Sequence, residues 1–217
     1  MTTARANPRR AKSPASHRKA GADEAAALPR TLKARSRPAD TTLQRHVSFF
    51  DDNGDRGVNV EECTRGLRVL GLPFGVAEVA AFAIVAALSR QTRGSLLAMN
   101  VDIENAQKGK HDSDTGILDK RGRFNARRFD KVFGAHSTVD RNGDKAFTAT
   151  ELTRMIKANR ETLAGYVAAI AEWQLLLMIA ADTHAVEGDH AVPALSLARL
   201  QSFYDGTLFY KLAKERV

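Results

Sequence analysis

The chain has 217 residues, 43% hydrophobic and 27% charged, a balance that reads as globular, with room for one domain and a real core. Its formal charge of +8 sits at one end: of 33 Lys/Arg and 25 Asp/Glu, ten and three fall in residues 1–40, leaving 23 and 22 elsewhere. A nearly neutral remainder argues against a basic nucleic-acid footprint on the folded part, and a single cysteine, Cys63, excludes a disulfide framework and a Cys-rich zinc site.

Residues 1–40 also hold four of the six prolines and no aromatic residue. Such a segment buries too little apolar surface to offset its ordering entropy, so it reads as a disordered basic tail. It can touch anionic lipid or RNA by Coulomb attraction, or simply solubilise the chain. Its Arg-rich start is compatible with a transit peptide. No apolar stretch of the kind found in secretory signals follows it, so the expectation is an intracellular protein rather than a secreted one.

From Thr41 an amphipathic helix runs through Leu43, Val47 and Phe50 into DDNGDRGVNVEE. There Asp51, Asn53, Asp55, Asn59 and Glu62 occupy positions 1, 3, 5, 9 and 12 of a twelve-residue frame, with the Gly57 carbonyl at position 7 and Val58 at the apolar position 8. That is the ligand spacing of an EF-hand calcium loop, where short oxygen ligands wrap one hard cation. Position 6 usually carries Gly because the loop turns there with positive φ; here it is Arg56. A side chain in that conformation costs about 1 kcal/mol or more, and Arg is expected to bring a positive charge towards the ion. The competing reading is a polar turn that keeps the frame without the ion.

After Glu62 an outgoing helix places Leu67 and Leu70 on one face, and Cys63 reads as a small buried residue. GLPFG at 71–75 ends it. Residues 76–88 are too short to span a bilayer and contain Glu78, which suits a core or membrane-surface helix. Residues 92–123 read as a long loop region, a length uncommon unless it carries function. Helical spacing returns through Phe124, Phe129, Val132 and Phe133. A second, degenerate frame follows, with Asp140, Asn142, Asp144, Thr148 and Glu151 at the same five positions, Phe147 at position 8 and Lys145 at position 6. A short ladder between Val58 and Phe147 would fold the two halves together. Residues 162–181 read as a central buried helix rather than a span, because Glu172 interrupts them, and Pro193 as the start of the last helix.

Taken together, four separated segments resemble the caleosin family of calcium-binding peroxygenases. LQRHVSFFDDNGD is similar to its incoming helix and calcium loop, and MNVDIENAQKGKHDSDTGILDKRGRF to its middle segment. ANRETLAGYVAAIAEWQLLL matches an Asn-Arg then Glu-Trp pattern, and FYDGTLF its closing Tyr-Asp-Gly-Ser-Leu-Phe. The fold expected is mainly α: one helical domain over 41–217, with an EF-hand-like loop and its degenerate partner, behind the tail.

The resemblance implies an enzyme holding haem b and Ca2+ that passes oxygen from fatty-acid hydroperoxides to unsaturated fatty acids. The family's two haem-associated histidines match His46 and His111, one holding iron and the other managing the proton. Imidazole suits an axial ligand, His46 lies one turn before the loop, and Asp112 or Asp114 could orient His111. Read without the resemblance, His46 is a helix-face histidine against Phe49 and Phe50, and His111 a solvated turn residue. His136, His184 and His190 read as surface groups.

The chain departs from the family at Arg56, at Asp112 where the family has Gly, and in lacking any proline between Pro73 and Pro193. Relatives carry a proline-rich knot in that interval that anchors them to lipid droplets. Its absence leaves a cytoplasmic protein or one peripherally attached to a lipid-droplet or membrane surface. The rival functions are a non-enzymatic calcium-responsive lipid-surface protein and a calcium sensor for a protein partner. No Ser-His-Asp set, P-loop or dinucleotide fingerprint supports another enzyme class.

Overall fold

The computed structural model describes residues 36–109, 116–119, 121–158 and 163–216. The expected tail, apart from its last five residues, lies outside them, as does His111.

Thr41 opens α1 (Thr42–Ser48) with a reciprocal cap, its hydroxyl accepting the Gln44 N–H while the Gln44 side chain accepts its own N–H. The polar loop leads through β1 (Gly57–Asn59) into α2 (Val60–Val69), capped in the same way by Asn59 and Glu62. Gly71, at φ 89°, turns the chain into α3 (Val76–Arg93), which ends at the left-handed Gly94. The stretch expected to be loop then folds into a 3-10 turn (Leu96–Ala98), β2 (Asn100–Asp102) and a second 3-10 segment (Ile103–Gly109).

The second half repeats this plan. Asn125 caps α4 (Ala126–His136), followed by β3 (Thr138–Val139), β4 (Lys145–Phe147) and α5 (Ala149–Ala158). Next come α6 (Leu163–Ala180), the hairpin β5 (Thr183–Glu187) and β6 (His190–Ser196), then α7 (Leu197–Tyr204) and α8 (Leu208–Glu215). Pro193 therefore lies in a strand, not at a helix start. β6 pairs with β4 only through Leu195 and Ser196, so Pro193 is bordered on one side alone, by β5, where its missing N–H is tolerated.

The mainly helical expectation is met, with two small antiparallel sheets, β1–β2 and β3–β4–β6–β5, joining the helices. The ladder expected between Val58 and Phe147 does not form. Val58 pairs with Val101, and Phe147 with Leu195, so each polar frame joins the helix–strand unit that follows it. The first pair is marked twice over: Arg56 (φ 66°) and Met99 (φ 42°), the two positive-φ non-glycine residues among those described, each precede the paired valine by two positions. The unit around Val101 has Gly94, Leu96 and Ala98 where the first frame has carboxylates and an amide, so it left no polar pattern to read.

One apolar core runs through both halves, from Phe49, Val58, Cys63 and Leu67 to Phe129, Phe133, Phe147, Leu176 and Leu200. Burial drives this assembly, with about 1.5–3 kcal/mol for each large side chain removed from water. From Ala169 on, where its side chains are described, α6 contributes Leu176, Leu177, Ile179 and Ala180 to the core but exposes Met178 and Glu172, so this part is half buried rather than fully buried. Among the described residues, no helix is long and apolar enough to cross a membrane.

Candidate functional site

The junction of the two halves encloses an apolar cavity of about 250 Å3, lined among others by His46, Phe50, Cys63, Leu88, Trp173 and Phe203. Its wall on the α1 side is fixed by the turn at Phe203–Gly206. Three successive carbonyls of this turn accept from α1: Phe203 from His46 Nε2 at 2.6 Å, Tyr204 from the Thr42 hydroxyl at 2.8 Å, and Asp205 from Arg45 Nη1 at 3.2 Å. Gly206, at φ 81°, permits this closeness; a Cβ there would stand 2.9 Å from that of Arg45. These groups belong to the FYDGTLF segment, but they act through the backbone, so no side-chain pattern announced them.

His46 is the polar residue placed most tellingly against this cavity. It is buried, stacked on Phe203 with ring centroids 4.6 Å apart, and tilted against Phe209 at 5.2 Å. Burial lowers its pKa to about 4, against a smaller opposing effect of the Phe203 hydrogen bond and the Asp205 charge. The imidazole is therefore neutral at physiological pH. A carbonyl can only accept, so Nε2 carries the proton and Nδ1 keeps the lone pair. The same wall holds Cys63 as an inert thiol, its pKa pushed up to about 12 by burial. His136, His184 and His190 lie away from the cavity lining, the last two exposed.

The first polar frame wraps its oxygens around its own backbone. Asp51, 1% exposed, accepts the N–H groups of Gly54 (2.8 Å) and Arg56 (3.1 Å). Asn53 accepts from Asp55 N–H and Asp55 from Gly57 N–H. Glu62, 4% exposed, reaches back with Oε1 to the Asp52 N–H (3.3 Å) and with Oε2 to the Asn59 N–H (3.1 Å). With these carboxylates turned to the loop's own donors, no group of three or more His, Cys, Asp and Glu among the described residues is gathered to hold a metal ion.

Arg56 adopts the positive φ expected at its position, yet its guanidinium does not face the loop interior. It turns away to Asp40 (3.0 and 3.2 Å), Ser48 Oγ (3.1 Å) and Glu104 (2.9 Å). Burial opposes its charge, but the hydrogen bonds to Asp40 and Glu104 outweigh that and raise its pKa. The expected repulsion at the loop centre is thus relieved by partners distant in sequence.

The second frame is tied up differently. Asp140 accepts from Thr183 Oγ1 (2.7 Å) and from the N–H groups of Asn142 and Asp144; the Thr183 bond leads in holding its pKa below the usual carboxylate value. Thr148 Oγ1 is shared between Glu151 and Glu187, so positions 9 and 12 serve as a tether to β5.

A model of the caleosin-related proteins matches residues 38–213. The chain is 35% identical over 182 residues to "Probable peroxygenase 4" of Arabidopsis thaliana, covering 82% of this chain and 88% of that one. It is 32% identical to "Peroxygenase" of Lilium longiflorum, covering 81% and 71%, and 32% identical to an Arabidopsis "Probable inactive peroxygenase-like protein" over 47% and 45%. No solved structure matches the chain. With a family model covering most of its length and a relative 35% identical along more than four-fifths of both chains, this protein belongs to the caleosin family.

Proposed function

We propose that the protein is a peroxygenase that takes oxygen from fatty-acid hydroperoxides and gives it to unsaturated fatty acids, with haem b beside His46. The observation that carries this reading is a neutral, buried histidine in the wall of an apolar cavity. A metal-binding imidazole must be unprotonated, and its other ring nitrogen is ordinarily held by a carbonyl or carboxylate. His46 meets both conditions, with Phe203 holding Nε2 and Nδ1 left as the donor. The cavity, at about 250 Å3, lies just below the roughly 300–1,000 Å3 usual for small-molecule sites, a volume suited to a slender acyl chain. Seating a macrocycle beside His46 requires it to widen.

Haem b, if held beside His46, would supply the redox chemistry for opening the O–O bond and transferring the oxygen atom. The apolar walls take up the acyl chain and exclude water, and Phe203 fixes the ring and tautomer of His46. We assign His111 the second histidine's part, moving the proton as general acid–base.

We further assign Ca2+ to the frame of Asp51, Asn53, Asp55, Gly57, Asn59 and Glu62, read as an EF-hand loop. Supporting this are the left-handed turn at position 6, the ladder at position 8, the guanidinium of Arg56 turned outwards, and Glu62 folded back over the loop.

Peripheral attachment to a lipid-droplet or membrane surface is supported by one feature. Phe74, Val79 and Phe82 are exposed along the start of α3, with Leu96 and Leu97 exposed beyond its end.

Haem titration of the purified full chain, followed by hydroperoxide consumption in the presence of an unsaturated fatty acid, tests the central proposal. Stoichiometric uptake with turnover is expected. Calcium-dependent vesicle binding by a protein that takes up no haem would favour the non-enzymatic lipid-surface alternative.

A further inference from the structure

On the surface beside α1, the side chains of Arg37, Arg45, Lys211 and Lys214 line a groove of about 480 Å3, with Thr207 and Tyr210 in its wall and no acidic residue among its lining. Like charges gathered around a concave surface repel, and their field favours an anionic ligand. Three of the four cations have no carboxylate partner among the described residues. Arg45 donates to the Asp205 carbonyl at 3.2 Å, Lys211 donates to Ser202 Oγ at 2.7 Å, and Lys214 forms no ion pair with a described residue. Arg37 alone meets a carboxylate, an exposed contact with Glu104 at 3.1 Å, of the kind worth under about 1 kcal/mol and readily exchanged.

Asp205, the acidic residue in the turn that helps form the groove, has its carboxylate turned to the Thr207 N–H (2.8 Å) and hydroxyl (2.6 Å). The groove is also pre-shaped. The Gly206 turn holds Arg45 in place, and Lys211 and Lys214 stand three residues apart on one face of α8.

We propose that this groove is a phosphate-binding site, taking either a phosphomonoester lipid headgroup or a free phosphate compound. Three cations without a carboxylate partner among the described residues exceed the single charge of a carboxylate and suit a multivalent oxyanion, with the guanidinium fork spanning two oxygens and the ammonium groups acting as point charges. The site is separate from the His46 cavity, whose lining contains none of these four residues.

The test compares the full chain with Lys211→Ala/Lys214→Ala, both exposed positions, after circular dichroism confirms equal folding. The probes are inorganic phosphate by calorimetry, and phosphatidylcholine vesicles with and without phosphatidic acid by sedimentation. Removal of two lysines is expected to weaken binding about tenfold or more. If the loss appears with phosphatidic acid vesicles, and inorganic phosphate competes, the ligand is a lipid headgroup. If it appears with inorganic phosphate alone, the ligand is a free phosphate compound. Both proteins carry the same basic tail, so tail attraction cancels. Equal binding of both probes by variant and wild type, or no binding of either by the wild type, overturns the proposal.

Discussion

Arg56 and Asp40 form a two-pronged ion pair beside α1, with Nη2 3.0 Å from Oδ1 and Nη1 3.2 Å from Oδ2. Because Nη1 also reaches Ser48, this one guanidinium ties together the start of α1, its end, and the polar loop, while Glu104 connects it to the paired unit. The helix bracketed in this way is the one that carries His46.

Arg56→Gly tests that bracket, since two effects oppose. Glycine relieves a left-handed conformation worth about 1 kcal/mol. Losing the guanidinium leaves Asp40, whose side chain is 5% exposed, with only the Arg37 N–H among the described residues. Breaking a buried pair costs about 3–5 kcal/mol, discounted here because Arg56 is 13% exposed. The expected outcome is a net loss of about 1–3 kcal/mol in urea unfolding. A gain in stability would mean that strain, not pairing, dominates at this position.

Gly66 sits inside α2, where alanine ordinarily gains about 1 kcal/mol. A Cβ there would meet Phe50 Cδ1 at 2.2 Å, closer than any real contact. Overpacking of this kind costs about 1–3 kcal/mol, so Gly66→Ala is expected to lower Tm despite its better helix propensity. Because Phe50 lines the cavity, the same variant should also alter ligand uptake there.

His46 gives the protein a pH dependence of definite sign. The unfolded chain takes up a proton near the ordinary 6.5, whereas the folded chain refuses it until about 4. Stability is therefore unaffected by this group above 6.5 and falls as pH drops from 6.5 to 4, by an amount on the order of 3 kcal/mol. Equilibrium unfolding across that window should show the slope in the wild type and a flatter one in His46→Gln.

Much of the first half was legible because its signals are local. Thr41 marks a helix start, Leu67 and Cys63 fall on the buried face, and the Asp51–Glu62 spacing defines the loop, although the outgoing helix begins at Val60, inside that frame, with Asn59 and Glu62 as its cap. What escaped depends on distance. The outward turn of Arg56 needs Asp40 and Glu104, 16 and 48 residues away. The unit around Val101 has no polar frame, so only its left-handed Met99 and its ladder to Val58 reveal it. Pro193 suggested a helix start because its partner, His184, is set by a hairpin that neither residue encodes alone. His46 was legible as a candidate, but its neutrality was not, since that follows from Phe203 and Phe209 closing over it from the far end of the chain.

The central claim, that the His46 cavity is the haem site, is tested most directly through Trp173, the chain's single tryptophan and part of the cavity wall. Haem titrated into the full-length protein should quench Trp173 fluorescence stoichiometrically while a Soret band of bound haem appears. Both responses should weaken together in a folded His46→Gln variant. Undiminished quenching and an unchanged Soret band in that variant would contradict the account.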